Sequence, residues 1–269
     1  MRISEIFARE KIEYFGALDI SMNDIRRTDV IERRGFDASL FRTAIVFLIP
    51  YYVNDGVPGN VSLYARSRDY HAYCDGLFGT LEKEFKAEYG GTFLGFADKS
   101  PIEETGAAQK AGLCVRGDSS VVINEKYGSY VFIGEIITDI PASVLGLDGT
   151  PKEARGCLHC GKCRMACPMV QTGNDCLSRL TQKKGELTPD EEEYIKKYGY
   201  VWGCDICQNV CPLNEGVSET PIVFFRKDRI AYLDGATLDG IDDEEFQTRA
   251  FSWRGRKTVE RNVKLFEKK

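Results

Sequence analysis

No stretch of this chain approaches the roughly 18 consecutive apolar residues of a membrane helix. The longest apolar run, around Thr43 to Val53, is interrupted by Pro50 and reads as a buried strand. The first residues, MRISEIFAREKIE, are charged and lack the apolar centre of a signal peptide. Export is therefore not expected, and a cytoplasmic setting is. Positive charge is not in excess: 36 Lys and Arg stand against 41 Asp and Glu, for a net charge of −5. A chain built mainly to hold nucleic acid would be basic. No G-x-G-x-x-G follows a strand, which argues against a dinucleotide fold, and no G-x-x-x-x-G-K-[ST] offers a phosphate cradle. Apart from two groups of cysteines there is no internal repeat, and there is no low-complexity segment.

Those cysteines are what the chain does have. Cys157, Cys160 and Cys163 lead to Cys167-Pro168 in a C-x2-C-x2-C-x3-C-P run; Cys176 stands alone; Cys204 and Cys207 precede Cys211-Pro212. Eight thiols in two groups, each ending in Cys-Pro, supply the ligands of two [4Fe–4S] clusters. In two-cluster ferredoxins the last cysteine of one run ligates the other cluster. The expected sets are thus Cys157, Cys160, Cys163 and Cys211 for one, and Cys167, Cys176, Cys204 and Cys207 for the other. Structural zinc also uses C-x2-C pairs, but not the triple spacing with Cys-Pro. Disulfides would need an oxidising compartment. The chain reads as a redox protein.

Hydrophobic patterning predicts an α+β chain. A short amphipathic helix is expected over 2–16, with strands at Ala17–Ser21, Thr43–Ile49 and Thr92–Ala97. The second strand, apolar on both faces, should be central in its sheet. Helices are expected over Asp69–Glu88 and Ile102–Leu113. Ser120–Asn124 and Ser129–Thr138 flank the turn signal Glu125-Lys126-Tyr127-Gly128 and predict a hairpin. The Gly/Asp/Pro-rich stretch Gly146–Lys152 reads as a linker. The expected organisation is an α/β domain at 1–150, a double-cluster ferredoxin-like module at 151–215 with an acidic helical excursion around Asp190–Glu193, and a C-terminal tail at 216–269 that packs on the core. Cys74 and Cys114, outside the cluster groups, read as core thiols.

Several segments together resemble the epoxyqueuosine reductase family. They are Tyr64-Ala65 with Arg68-Asp69-Tyr70-His71; Asp98 with Pro101 and Glu104; Lys110-Ala111-Gly112-Leu113; Tyr127-Gly128-Ser129-Tyr130 through Gly134-Glu135; and Thr138-Asp139-Ile140-Pro141. Further on come Gly203-Cys204-Asp205-Ile206-Cys207-Gln208, Cys211-Pro212-Leu213-Asn214, Ser252-Trp253-Arg254-Gly255 and Arg261-Asn262. The resemblance implies a nitroreductase-like α/β domain holding base-off cobalamin close to one cluster, with an external donor loading the clusters. Electrons would pass singly to cobalt, and reduced cobalt would open the epoxide of epoxyqueuosine in tRNA. Asp98 matches the family's proton donor, and a poorly solvated carboxyl there would hold its proton near neutral pH. The alternative for Asp98 is a cap on the helix after it. Tyr70, His71, Gly128, Ser129 and Tyr130 are the cofactor contacts the resemblance implies. Asp69 to Cys74 nearly spells D-x-H-x-x-G, but Cys74 occupies the glycine position and His71 falls at a helix start, so His71 is not read as a cobalt ligand.

The chain also departs from the family pattern. Cys114 stands where glycine is usual, Asp118 where lysine is expected, and Thr105 where arginine is usual. Many family members continue into a helical-repeat domain that helps hold tRNA, whereas this sequence stops at Lys269. Arg254, Arg256 and Lys257 form a basic patch suited to phosphates, yet the acidic balance and the lost basic residues weaken the expected grip on tRNA. Two other readings stay open: a paralogue using the same cofactors on a small molecule, and an electron-transfer protein with no corrin.

Overall fold

The computed structural model describes residues 2–154, 156–170 and 176–267. The chain forms two compact units, each discontinuous in sequence: Met1–Pro50 with Tyr73–His159, and Tyr51–Ala72 with Cys160–Lys269. A boundary at Thr150 and a purely sequential division are therefore not what the fold adopts. A 22-residue segment from the first half is built into the second unit.

The first unit is a four-stranded antiparallel sheet in the order β1-β2-β6-β3. These strands are Phe15–Asp19 (β1), Thr43–Pro50 (β2), Phe93–Phe96 (β3) and Val131–Thr138 (β6). Every residue of β2 is buried, as its two-faced apolar sequence requires of an interior strand. One face carries Ala44, Val46, Leu48, Leu94, Phe96 and Ile137, which pack with Ile31, Phe41, Ala107, Ala108 and Leu113. The opposite face is aromatic: Phe47 meets Phe7 at 5.1 Å and Phe78 at 6.2 Å between ring centroids. Phe7 comes from α1 (Ile3–Arg9), and Phe78 and Phe85 from α3 (Tyr70–Tyr89). Gly134 pairs with Phe47 across the sheet. A Cβ at Gly134 would lie 2.5 Å from the Phe47 ring, so the glycine makes room for the aromatic layer.

Three expectations in this unit are corrected. The N-terminal helix stops at Arg9, because Lys11 turns the chain at φ +62° and Phe15 already belongs to β1. Helix α4 (Glu104–Lys110) begins later than Ile102, because Glu103 is its cap and accepts the Gly106 N–H at 2.6 Å. The hairpin does not form. Val122–Ile123 (β5) pairs with Val115–Arg116 (β4), while β6 enters the main sheet between β2 and β3. The turn between them survives as the bridge Asn124↔Gly128, and the Asn124 side chain accepts the N–H groups of Lys126 and Tyr127 at 3.0 and 3.1 Å. Burial decided the pairing: an eight-residue strand gains more between two apolar neighbours than against a two-residue ribbon.

The second unit is helical. It contains α5 (Lys162–Ala166), α6 (Leu177–Thr181), α7 (Pro189–Tyr198), α8 (Ile206–Asn209), α9 (Val223–Arg226), α10 (Gly235–Asp239), α11 (Asp243–Gln247) and α12 (Arg256–Glu267). The acidic excursion is α7, with Pro189 in its first turn and a reciprocal cap between Thr188 and Glu191. Residues after 215 pack into the core of this unit. Leu233, Leu238, Phe246, Phe251, Val259 and Val263 share one core with Val61, Ala65, Val201 and Trp202. The segment from residue 51 is held there by backbone pairing as well: Val201 N–H donates to Asn60 O at 2.8 Å, and Ser62 N–H to Trp202 O at 2.8 Å.

Candidate functional site

None of the eight expected ligand thiols is joined in a disulfide. Local geometry presents them in tight turns. Gly161, at φ +74°, starts α5 so that Cys163 lies in its first turn, and Pro168 follows Cys167 where the helix stops. Cys207 sits on α8, which packs against α5. Burial pushes the Cys207 thiol up to about 11, helped by the neighbouring charges of Cys176, Cys167 and Cys163. Burial raises Cys204 to about 12, with Cys176 and Cys207 adding to it. Five thiols of the second unit thus crowd one region. Thiols this reluctant to ionise alone become ligands only when a metal displaces their protons, and thiolate-rich crowding without disulfides suits iron–sulfur clusters.

The residues between these cysteines are scaffold. Gly203, at φ +72°, leaves no room for a side chain, since a Cβ would lie 2.4 Å from that of Ser62. Its N–H donates to Thr181 Oγ1 at 3.0 Å. Asp205, 4% exposed, accepts the Leu63 N–H at 2.8 Å and the Ser62 hydroxyl. The Trp202 indole donates to the Tyr64 hydroxyl at 3.1 Å, and Asn262 donates to the carbonyls of Thr181 and Val201 at 2.7 and 2.9 Å. The segment carrying Cys204 and Cys207 is therefore tied down at Val201, Trp202, Gly203 and Asp205.

In the first unit, Asp98 lies in the turn after β3 at φ +62° and is exposed, so the poor solvation expected of its carboxyl is not met by the protein alone. It is not the cap of α4; Glu103 is. The same turn is anchored one strand away. The Ser100 hydroxyl donates to Glu135, and the Ile102 N–H donates to Ser100 Oγ at 3.2 Å. Glu135 is fully buried in β6, and burial raises its carboxyl well above the usual range, with the charges of Glu104 and Glu103 adding to the effect. The sequence reading quoted Glu135 only as part of a motif. A lone carboxyl inside VFIGEIIT was the signal available.

Gly128 takes φ +58°, while Ser129 and Tyr130 are buried. Tyr70 and His71 open α3; the His71 ring stands 4.2 Å from that of Tyr70, and its Nδ1 is 2.8 Å from Asp69 Oδ1. Asp69 accepts the His71 N–H, which makes it a local cap. Cys74 and Cys114 are each 1% exposed, and burial pushes Cys114 up to about 12, as fits an inert core thiol. A cavity of about 490 Å³ lies between the end of β1 and α4, lined by Asp19, Asp24, Arg26, Glu103 and Lys110 among others; none of the expected site residues lines it. In the basic patch, Arg256 is consumed internally, pairing with Asp243 at 3.1 Å and donating to the Leu238 carbonyl at 3.1 Å. Arg254 stacks 3.6 Å over the exposed Trp253 ring. One grouping was not foreseen: Asp118 Oδ1 lies 2.9 Å from His159 Nδ1, beside Cys157.

Residues 156–214 match a 4Fe-4S double cluster binding domain. The chain is 36% identical over 186 residues to an epoxyqueuosine reductase of Leadbetterella byssophila, covering 64% of this chain and 59% of that protein. It is 31% identical over 194 residues to one of Synechocystis, covering 65% and 63% respectively. The match thus spans less than two thirds of the curated relatives' length. Among solved structures, epoxyqueuosine reductase from Streptococcus thermophilus superposes with a TM-score of 0.74 at 22% identity, over 98% of this chain and 79% of that one. An epoxyqueuosine reductase bound to an epoxyqueuosine-modified tRNA-Tyr stem loop gives 0.73 at 23% identity, over 98% and 80%. In sequence and in fold the chain resembles epoxyqueuosine reductases. Among the described residues, no helix is long and apolar enough to cross a membrane.

Proposed function

We propose that this chain is a cobalamin-dependent iron–sulfur reductase that acts on the epoxide of epoxyqueuosine in tRNA and leaves queuosine. The observation that supports this best is the coincidence in one chain of the double-cluster thiol pattern with a fold shared over 98% of its length with epoxyqueuosine reductases. Cys157, Cys160, Cys163 and Cys211 hold one cluster, and Cys167, Cys176, Cys204 and Cys207 the other, loaded by an external electron donor in the cytoplasm. A nitroreductase-like first domain holds the corrin base-off.

The corrin reading rests on the resemblance and on one feature of the first unit. The Asn124–Gly128 turn, closed by its own hydrogen bonds and bare of a side chain at Gly128, offers backbone that a flat macrocycle can approach. Gly128, Ser129, Tyr130, Tyr70 and His71 are the residues assigned to it. Bound cobalamin supplies low-valent cobalt able to put electrons into an epoxide carbon. Taking the epoxide to the alkene uses two electrons and two protons: Asp98, exposed on a left-handed turn, would deliver one proton to the oxygen as the first C–O bond breaks, and a second proton from solvent would let the oxygen leave as water as the second C–O bond breaks. Ser100 and Glu135 hold the root of that turn against the sheet. Arg254 and Lys257 remain for tRNA phosphates; Arg256 does not.

The test is anaerobic reconstitution with iron, sulfide and cobalamin, followed by EPR and turnover of an epoxyqueuosine-containing stem loop. A stoichiometric base-off cobalt signal with turnover is expected, and Asp98→Asn should keep clusters and corrin while losing turnover by about 100-fold or more. Two intact clusters without corrin would instead make this an electron-transfer protein. Corrin binding with no turnover, and no linear fall of log K with log salt for the stem loop, would favour a small-molecule substrate.

A further inference from the structure

The charge-reversed position in the first unit has a partner. Asp118 lies in the turn between β4 and β5, closed by Gly117 N–H to Val121 O at 2.9 Å. Its Oδ1 is 2.9 Å from His159 Nδ1, and that nitrogen is 3.9 Å from Cys157 Sγ. The ligand atoms of Asp118, Cys157 and His159 all lie within 4.8 Å of one another. His159 is held at φ +50°, an uncommon conformation for a residue with a side chain, which turns its ring into this group. Sequence spacing offers no hint of the contact, because 41 residues separate Asp118 from His159.

We infer that Asp118, acting directly and through His159, lowers the reduction potential of the cluster ligated by Cys157. The inference rests on the proposed role of Cys157 as a ligand. Two physical effects carry it, and they have the same sign. Reduction adds one electron to the cluster, and a carboxylate within 4.8 Å of a ligand sulfur opposes that added charge. The carboxylate also engages the imidazole Nδ1, the nitrogen that lies 3.9 Å from the Cys157 sulfur, and so competes with that sulfur for a proton carried there. Hydrogen bonds to cluster sulfurs raise the potential. Asp118 thus adds a negative charge and diverts a donor. The partners that orient a metal ligand commonly tune the metal in this way. A lysine here, as the family pattern leads one to expect, would push the potential the opposite way. The departure at Asp118 is accordingly a setting of the electron path and not a defect of the substrate site.

The experiment is an EPR-monitored redox titration of the full chain with reconstituted clusters, for the parent, Asp118→Asn, Asp118→Lys and His159→Gln. Two midpoint potentials are expected in the parent. In Asp118→Asn one of them should move to a less negative value, and in Asp118→Lys further in the same direction, while the other stays in place. His159→Gln should shift the same midpoint, by less than Asp118→Lys does. Two intact clusters with both midpoints unchanged in Asp118→Asn and Asp118→Lys would overturn the inference. Cys157→Ala separates this from a failure of the ligand assignment: if that variant keeps both clusters, Cys157 is no ligand and the premise falls first. Firm retention of one zinc ion in the parent, lost in Asp118→Asn, would also overturn it by making the trio a mononuclear site.

Discussion

Asp205 stands between Cys204 and Ile206 and is the contact by which residues 62–63 hold the cysteine segment. Its carboxyl accepts the Leu63 N–H at 2.8 Å and the Ser62 hydroxyl, and it is 4% exposed. Asp205→Ala removes both acceptors and leaves the Leu63 N–H without its partner. A stranded buried polar group costs about 1–3 kcal/mol. The Ser62 hydroxyl can rotate toward another acceptor, so the sum is about 2–4 kcal/mol. At about 2–4 °C per kcal/mol for a chain of this size class, the melting temperature should fall by roughly 5–15 °C. Asp205→Asn keeps one carbonyl for the Leu63 N–H and can turn its amide toward Ser62 Oγ, which also accepts; it should cost about 1 kcal/mol or less. The assay is urea unfolding of the cluster-free, reduced protein under anaerobic conditions, followed by iron content after reconstitution. The alanine variant should also hold less iron, because Cys204 and Cys207 flank the lost anchor. An alanine variant that unfolds within about 0.5 kcal/mol of the parent, the range of an ordinary surface change, would refute the anchoring role.

Two further outcomes follow from the same structure. Burial raises the Glu135 carboxyl above its ordinary value of 4.5, so its contribution is fully present below about pH 4.5 and is lost as pH rises toward the folded value. Glu135→Gln, which can still accept from Ser100, should therefore gain on the parent with rising pH by up to about 1.4 kcal/mol per unit; a stability difference that stays flat from pH 4.5 to 8 would show that Glu135 is ionised in the fold. Cys163→Ala should lose one cluster and lower the stability of the reconstituted protein, since ligation couples to folding; full iron content together with an unchanged melt would contradict the ligand sets.

How far the sequence could be read depended on how local each determinant is. The double-cluster pattern was legible because cluster ligation imposes short fixed spacings, and residues 156–214 match a 4Fe-4S double cluster binding domain. Strand β2 was legible because TAIVFLI leaves no polar face to expose. The hairpin expectation failed for the opposite reason. Val131–Thr138 is also mostly buried, and its partners lie far off in sequence, at Thr43–Pro50 and Phe93–Phe96. For the C-terminal residues, packing was legible but its partners were not, because each helix after residue 215 buries only a few side chains, and they form a core with Val61 and Trp202 from distant segments.

By itself, then, the sequence determined the double-cluster cysteine pattern, the interior strand and a resemblance carried by motifs, since each is written in neighbouring residues. Tertiary structure decided what those residues face. It moved residues 51–72 into the second unit, consumed Arg256 within its own helices, set Ser100 on Glu135 at the root of the Asp98 turn, and paired Asp118 with His159 beside Cys157. Such contacts depend on burial and on chain paths dozens of residues long, and only the folded chain brings those residues together.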